Sequence, residues 1–169
     1  MQDQVRITVY HAKQCDPKRC TALKLHRHGL ARIVSRMRFL PKRAIVLNPF
    51  SEIAFSPADR DRIKENGLAA LDCSWEHAQK VLQEHVRGTS RCLPLLIAGN
   101  PTNYGKLTKL STVEALAAAL YIAGFKEESV KLLSIFKWGH TFLELNSERL
   151  TAYEKAKDST EIVKLQTQV

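Results

Sequence analysis

The chain lacks long hydrophobic runs. Its apolar stretches are short and broken by charge, far from the ~20 consecutive apolar residues that span a bilayer. No membrane association is expected. The N-terminus, MQDQVRITVYH, has neither the basic start nor the apolar core of a signal peptide, so a soluble, cytoplasmic protein is expected. Cysteine is sparse: Cys15, Cys20, Cys73 and Cys92. A disulfide framework does not fit an intracellular chain of this length. Cys15 and Cys20, with His11 nearby and His26 and His28 further on, come nearest to zinc spacing, but four good ligands are not available. Plain thiols and no metal are expected. Also missing are Gly-x-Gly-x-x-Gly, a Walker loop and His-Glu-x-x-His, and no nucleophile elbow supports a Ser-His-Asp set. A nucleotide would have to be held by backbone contacts in loops.

Acidic residues are nearly missing from one region. Residues 1–50 hold 11 Lys and Arg against Asp3 and Asp16, whereas the remainder holds 15 of each sign. The entire net charge of +9 therefore sits in the first 50 residues. Charge concentrated in this way makes a local field that attracts polyanions, although a basic block can also be a solvated face that aids solubility. Its densest cluster is Arg27, Arg32, Arg36, Arg38, Lys42 and Arg43. A length of 169 residues with 44% apolar content fits one domain with a real core. Residues 1–50 are expected to form a basic subdomain on the same sheet as a catalytic domain spanning 51–169.

Short apolar segments alternate with helical ones. Val5–His11 is rich in β-branched residues and reads as a strand. Thr21 is expected to cap a short helix that ends at Gly29. Arg43–Pro49 is a second strand. Ser56-Pro57 starts a helix that Gly67 stops. Leu68–Asp72 is a short strand, and Ser74 caps the helix after it. LPLLIAG, residues 93–99, reads as another buried strand. Helices are expected over 111–124, 127–136 and roughly 138–150, with a charged tail to Val169 that is solvated or loosely docked. Strands alternating with helices indicate an α/β fold with a largely parallel sheet.

In such sheets ligands bind beyond the carboxyl ends of strands. Two ends stand out, Leu71-Asp72-Cys73-Ser74-Trp75 and Ala98–Gly105. Ser111-Thr112-Val113-Glu114 fits a capping box, and the helix it opens presents N–H groups suited to a carboxylate or phosphate. The cap alone would equally suit an ordinary core helix.

The blocks DPKRCTALKL, LDCSW, NPTNYGKLTKLSTVEALAAALYIAGF and FKWGHTFLELN resemble, in order and over residues 16–146, the signature blocks of the ribosomal RNA aminocarboxypropyltransferases. These are small-subunit ribosome biogenesis enzymes with a SPOUT-like fold. The N-terminal block also resembles the start of the RNase L inhibitor-type ATPases, for which a metal role has been suggested. The main resemblance implies transfer of the 3-amino-3-carboxypropyl group of S-adenosylmethionine to N3 of N1-methylpseudouridine in small-subunit rRNA, with 5′-methylthioadenosine leaving. It implies a C-terminal trefoil knot, a monomer, and an rRNA or pre-ribosomal partner. It implies cofactor contacts, mostly through backbone, at Thr21, Leu71, Leu93, Thr108 and Thr112, with Trp75 against the cofactor's apolar side. Trp75 also suits a plain core position.

The sulfonium already activates its carbons, so positioning decides which one is attacked. The uracil N3–H must lose a proton, and Asp72, at a strand end, is the candidate base; an Asp before Ser is otherwise an ordinary helix-capping carboxylate. A SPOUT RNA methyltransferase and a non-catalytic assembly factor are the alternatives.

Overall fold

The computed structural model describes residues 4–13, 16–84 and 88–168, without the side chains of residues 75 and 81–84. Five strands form one sheet: β1 (Ile7–His11), β2 (Arg32–Val34), β3 (Ile45–Leu47), β4 (Leu68–Asp72) and β5 (Thr89–Arg91). Their order is β2-β1-β4-β3-β5, and every pairing is parallel. Parallel strands need crossovers and burial on both faces. That is why β1, β3 and the first three residues of β4 are buried throughout. Because β4 pairs with both β1 and β3, residues 1–50 and 51–169 share this sheet.

The helices are α1 (Thr21–Arg27), α2 (Arg60–Asn66), α3 (Trp75–Glu84), α4 (Thr112–Ile122), α5 (Lys126–Ser134), α6 (Gly139–Leu145), α7 (Ser147–Glu154) and α8 (Ser159–Leu165). The central one is α4, packed against α1, β4, α5 and α7. It is apolar nearly all round, and a helix of that kind must be buried. Ala117, Ala118 and Ala119 are fully buried, and their small side chains let neighbouring backbones come close. Its entrance is the expected capping box: Ser111 Oγ accepts from Glu114 N–H, and the Glu114 carboxylate accepts from Ser111 N–H.

Several elements differ from the sequence reading. Thr21 is the first residue of α1, and Cys20 occupies the cap position. A short strand, β2, and a 3₁₀ turn at Met37–Phe39 lie between Gly29 and Arg43, a stretch for which the sequence reading assigns no element. The stretch expected as one helix over 138–150 is two, α6 and α7, broken at Asn146. The tail is docked: Ile162 in α8 is fully buried, and the Ser159 hydroxyl accepts from Ala54 N–H.

The largest correction concerns residues 93–99, expected as a strand. The ladder stops at Cys92, which bridges to Ala54, and the strand of this region is β5, just upstream. Pro94 has no N–H to give a ladder. From Leu95 onward the backbone is served partly by main-chain bonds of Leu96 and Ala98 to residues 105–108 and partly by side chains of later helices. Leu95 N–H donates to Gln166 Oε1, and Leu95 C=O accepts from Tyr153 OH. Ile97 N–H donates to Asn146 Oδ1, while Asn146 Nδ2 donates to Ile97 C=O. Gly99 N–H donates to Glu114 Oε2 at 2.7 Å. At Gly99 the backbone of α6 is so near that an added Cβ would lie 2.7 Å from Phe142 N.

Asn146 is fully buried and also donates to Phe142 C=O. Asn146→Leu keeps the branched outline of the side chain and orphans both polar groups of Ile97. Each buried orphan costs about 1–3 kcal/mol, so the variant should lose at least ~2 kcal/mol in urea denaturation. A change within ~0.5 kcal/mol would mean that this bracing is dispensable.

Candidate active site

The carboxyl ends of β3 and β4 open onto a cavity of about 440 Å³. Its apolar wall includes Leu47, Ala70, Leu71, Leu93 and Leu96, and its polar side includes Asn48, Asp72, Ser111 and Thr112. The cavity thus lies beyond strand ends, as in other open parallel sheets, and reaches the N-terminus of α4.

The loop from Gly99 to Ser111 is fixed by one carboxylate. Glu114 is fully buried. Its Oε1 accepts from Asn100 Nδ2 at 2.6 Å and from the amide and hydroxyl of Ser111, both at 2.9 Å. Its Oε2 takes Gly99 N–H. Asn100 Oδ1 in turn accepts from Asn103 N–H. A buried charge is tolerable only with such a set of donors. Thr108, at the cavity wall, has φ +59°. That backbone is unfavourable for a β-branched residue, and it is held by Thr108 N–H donating to Leu96 C=O. Strain of this sort is characteristic of functional loops.

Among the residues expected at the site, Leu71, Asp72, Leu93, Thr108 and Thr112 line the cavity together. Thr21 does not line it. Its hydroxyl accepts from Val113 N–H at 3.2 Å, joining the start of α1 to the start of α4. The backbone of Trp75 begins α3, and its side chain lies outside the described residues. Arg27, Arg32, Arg36, Arg38, Lys42 and Arg43 are all exposed, running from the end of α1 through the edge strand β2 to the approach to β3.

Asp72 ends β4, and the register pairs it with His11 at the end of β1. Ala12 N–H donates to Asp72 C=O, locking the two strand ends. Beside them stands Cys20, whose thiol donates to Asp72 Oδ2 at 3.2 Å. His11 Nε2 lies 3.5 Å from that oxygen and 3.5 Å from Cys20 Sγ. This grouping could not be found from sequence spacing, because Asp72 arrives from a strand 52 residues beyond Cys20. The histidines weighed with Cys20 are elsewhere: His26 Nδ1 bonds to Ala31 C=O, and His28 is exposed. Cys15 lies outside the described residues.

Cys73, next to Asp72, is a poor nucleophile. Burial, with the Asp72 charge as a lesser cause, pushes its thiol up to about 11, so the reactive thiolate is scarce at neutral pH. Ser74 Oγ accepts from His77 N–H at the start of α3. On the other side of this strand end, Tyr10 OH and His77 Nε2 are 2.7 Å apart.

Comparison with known proteins agrees with this geometry. Residues 45–169 match a family model described as "Ribosome biogenesis protein, C-terminal". Residues 5–37 match one described as a possible Fer4-like domain in RNase L inhibitor. Four-thiolate ligation of an iron–sulfur cluster does not fit that segment, which contains only Cys15 and Cys20. The chain is 53% identical to the 16S rRNA aminocarboxypropyltransferase of Methanothermobacter thermautotrophicus, over 96% of each chain. It is 54% identical to the protein of that name from Methanopyrus kandleri, over 94% of each. Its fold superposes with a TM-score of 0.86, at 39% identity and 97% coverage of both chains, on a solved SAM-dependent rRNA:acp-transferase, Tsr3 from Vulcanisaeta distributa. With the match extending over nearly the whole length of each relative, the chain belongs to the 16S rRNA aminocarboxypropyltransferase family.

Proposed function

We infer that this chain is an S-adenosylmethionine-dependent rRNA aminocarboxypropyltransferase. It transfers the 3-amino-3-carboxypropyl group to N3 of an N1-methylpseudouridine in small-subunit rRNA. The observation that carries the reading is the combination of family membership with an amphipathic cavity at strand ends, bounded by the N-terminus of a buried helix and by one carboxylate. The cavity's residues fit such a ligand. Leu71, Leu93 and Thr108 suit the adenosine. The N–H of Thr112, with Thr21 bracing that helix entrance, suits the amino-acid carboxylate. Trp75 is assigned to the cofactor's apolar side.

When bound, S-adenosylmethionine supplies a sulfonium-activated methylene. The N3–C bond forms as the C–S bond breaks, and 5′-methylthioadenosine leaves. The protein contributes position and proton acceptance. The strained turn at Thr108 and the Glu114-anchored loop keep the walls fixed, which selects the reacting carbon. Asp72 takes the N3 proton. Residues 1–50 are the RNA-facing part and 51–169 the catalytic part. The threading of residues 93–99 among helices from the C-terminal end supports a SPOUT-like trefoil knot. We assign the protein to the cytoplasm as a monomer; no helix among the described residues is long and apolar enough to cross a membrane.

The decisive experiment is the nucleoside product. Incubation with N1-methylpseudouridine-containing rRNA and S-adenosylmethionine should add the mass of the aminocarboxypropyl group and release 5′-methylthioadenosine. A methyl increment with S-adenosylhomocysteine would establish a methyltransferase instead, and an unchanged nucleoside would favour an assembly factor.

Asp72→Asn retains shape and removes the base. Transfer should fall by roughly 10²–10⁴-fold, and the deficit should narrow as pH rises, because uracil N3 then ionises unaided. If Asp72 only steadies the sulfonium, cofactor affinity should fall and the pH profile keep its form. A wild-type transfer rate in this variant would end the assignment.

Replacing Arg27, Arg32, Arg36 and Arg38 by Gln should weaken RNA binding and flatten its salt dependence. The log–log slope should shrink by about 0.7–0.9 for each phosphate no longer neutralised. Cofactor affinity should not change. An unaltered salt slope would remove the basic block from the RNA interface.

A further inference from the structure

His11, Cys20 and Asp72 form the most closely spaced group of chemically versatile side chains among the described residues. The transfer reaction as derived above uses only one of them. His11 and Cys20 are buried, at 6% and 7% exposure, which is unusual for a histidine without a task. Three such donors 3.2–3.5 Å apart invite a metal reading, because tetrahedral zinc bonds set donors about 3.4–3.6 Å apart.

The hydrogen bonds favour something else. Lys13 N–H donates to His11 Nδ1 at 3.2 Å, so the neutral imidazole carries its proton on Nε2. That nitrogen then has no lone pair for an ion. It presents an N–H edge to Asp72 Oδ2 and Cys20 Sγ. The Cys20 thiol is likewise a donor to Oδ2. The thiol at the cap of α1 thus donates directly to one carboxylate oxygen, and the imidazole edge from β1 lies 3.5 Å from both that oxygen and the sulfur.

We propose that Cys20 and His11 are positioning residues for Asp72, holding its carboxylate in the one orientation that accepts the N3 proton of the bound uracil. The inference rests on the reading of Asp72 as the base and adds its supporting shell. A carboxylate at the end of a strand can rotate about its Cβ–Cγ bond; here rotation breaks the thiol contact and moves Oδ2 away from the imidazole edge. Both partners are themselves fixed. His11 is held by the strand register opposite Asp72 and by Lys13 N–H. Cys20 is held by its own N–H donating to Asp16 C=O and by Lys24 N–H donating to Cys20 C=O. Orientation of this quality is what a supporting shell contributes to catalysis.

The test is a set of full-length variants assayed for transfer and, separately, for S-adenosylmethionine binding by calorimetry. Cys20→Ala should lower kcat on the order of 10–100-fold with cofactor affinity and melting temperature little changed. Cys20→Ser, which restores a donor, should recover most of the rate. His11→Gln, which keeps an N–H, should exceed His11→Ala. In an Asp72→Asn background, Cys20→Ala should cost nothing further, since its effect runs through the carboxylate. If His11→Ala does not fold, the Cys20 pair decides. A wild-type rate in Cys20→Ala, or an undiminished penalty in the Asp72→Asn background, overturns the proposal. So does a cobalt(II) complex of the wild-type protein with a thiolate charge-transfer band that Cys20→Ser abolishes, for the group would then be a metal site. A fully active Asp72→Asn would instead remove the base itself, an outcome separable from these.

Discussion

The structure depends on how one buried length of backbone finds its hydrogen-bond partners. Residues 93–99 lie outside the five-stranded sheet; loop residues 105–108 pair with Leu96 and Ala98, and the remaining polar groups need partners of their own. Gln166, Tyr153, Asn146 and Glu114 supply the missing donors and acceptors. Four elements late in the chain are therefore tied to one segment. The end of that segment, Gly99, leads directly into the loop that borders the cavity. A helix shift at the C-terminal end would move this loop, because the same bonds hold both. The site's rigidity thus follows from satisfying buried backbone together with the Glu114 contacts at the loop.

Glu114 performs two tasks with one side chain. As the third residue of α4 it completes the cap with Ser111. As a buried carboxylate it gathers Gly99, Asn100 and Ser111. Negative charge near a helix N-terminus is favourable, and here it also closes the loop onto the helix that starts there. The small side chains let the helix sit among α1, α5 and α7, and the single carboxylate turns the loop into a fixed wall.

Much of this was legible in the sequence, for identifiable reasons. The β-branched run of β1, the apolar Leu68–Asp72, the Ser56-Pro57 start and the Ser111–Glu114 box are local signals, and each element stands where its signal lies. Residues 93–99 misled because apolar content reports burial, not ladder pairing; Pro94 was the available hint. β2 escaped because Arg32-Ile33-Val34 is short and sits among cations. The break at Asn146 was hidden because its cause is tertiary: the side chain serves Ile97 rather than its own helix. Of the site, Asp72 and the start of α4 came through as a strand end and a helix entrance, whereas Leu93 and Thr108 came from the family resemblance. The partners of Asp72 did not, because a register between β1 and β4 brings them together and no spacing along the chain encodes that.

The parallel register has one more consequence. Cys20 and Thr21 are adjacent, yet they serve different walls of the site. Cys20 touches the carboxylate at the end of β4, and Thr21 touches the amide of Val113 at the mouth of α4. The start of α1 is therefore a joint between the wall proposed to accept the proton and the wall proposed for the cofactor's carboxylate. α1 also runs outward into the basic block, ending in Lys24, His26 and Arg27. On the proposed reading of that block as the RNA-facing part, a polyanion held there bears on a helix whose cap and first residue are bonded to both walls. RNA binding and alignment of the reacting groups would then be linked through one short helix. No separate communicating element is required, because α1 itself is in contact with the walls and is continuous with the basic surface.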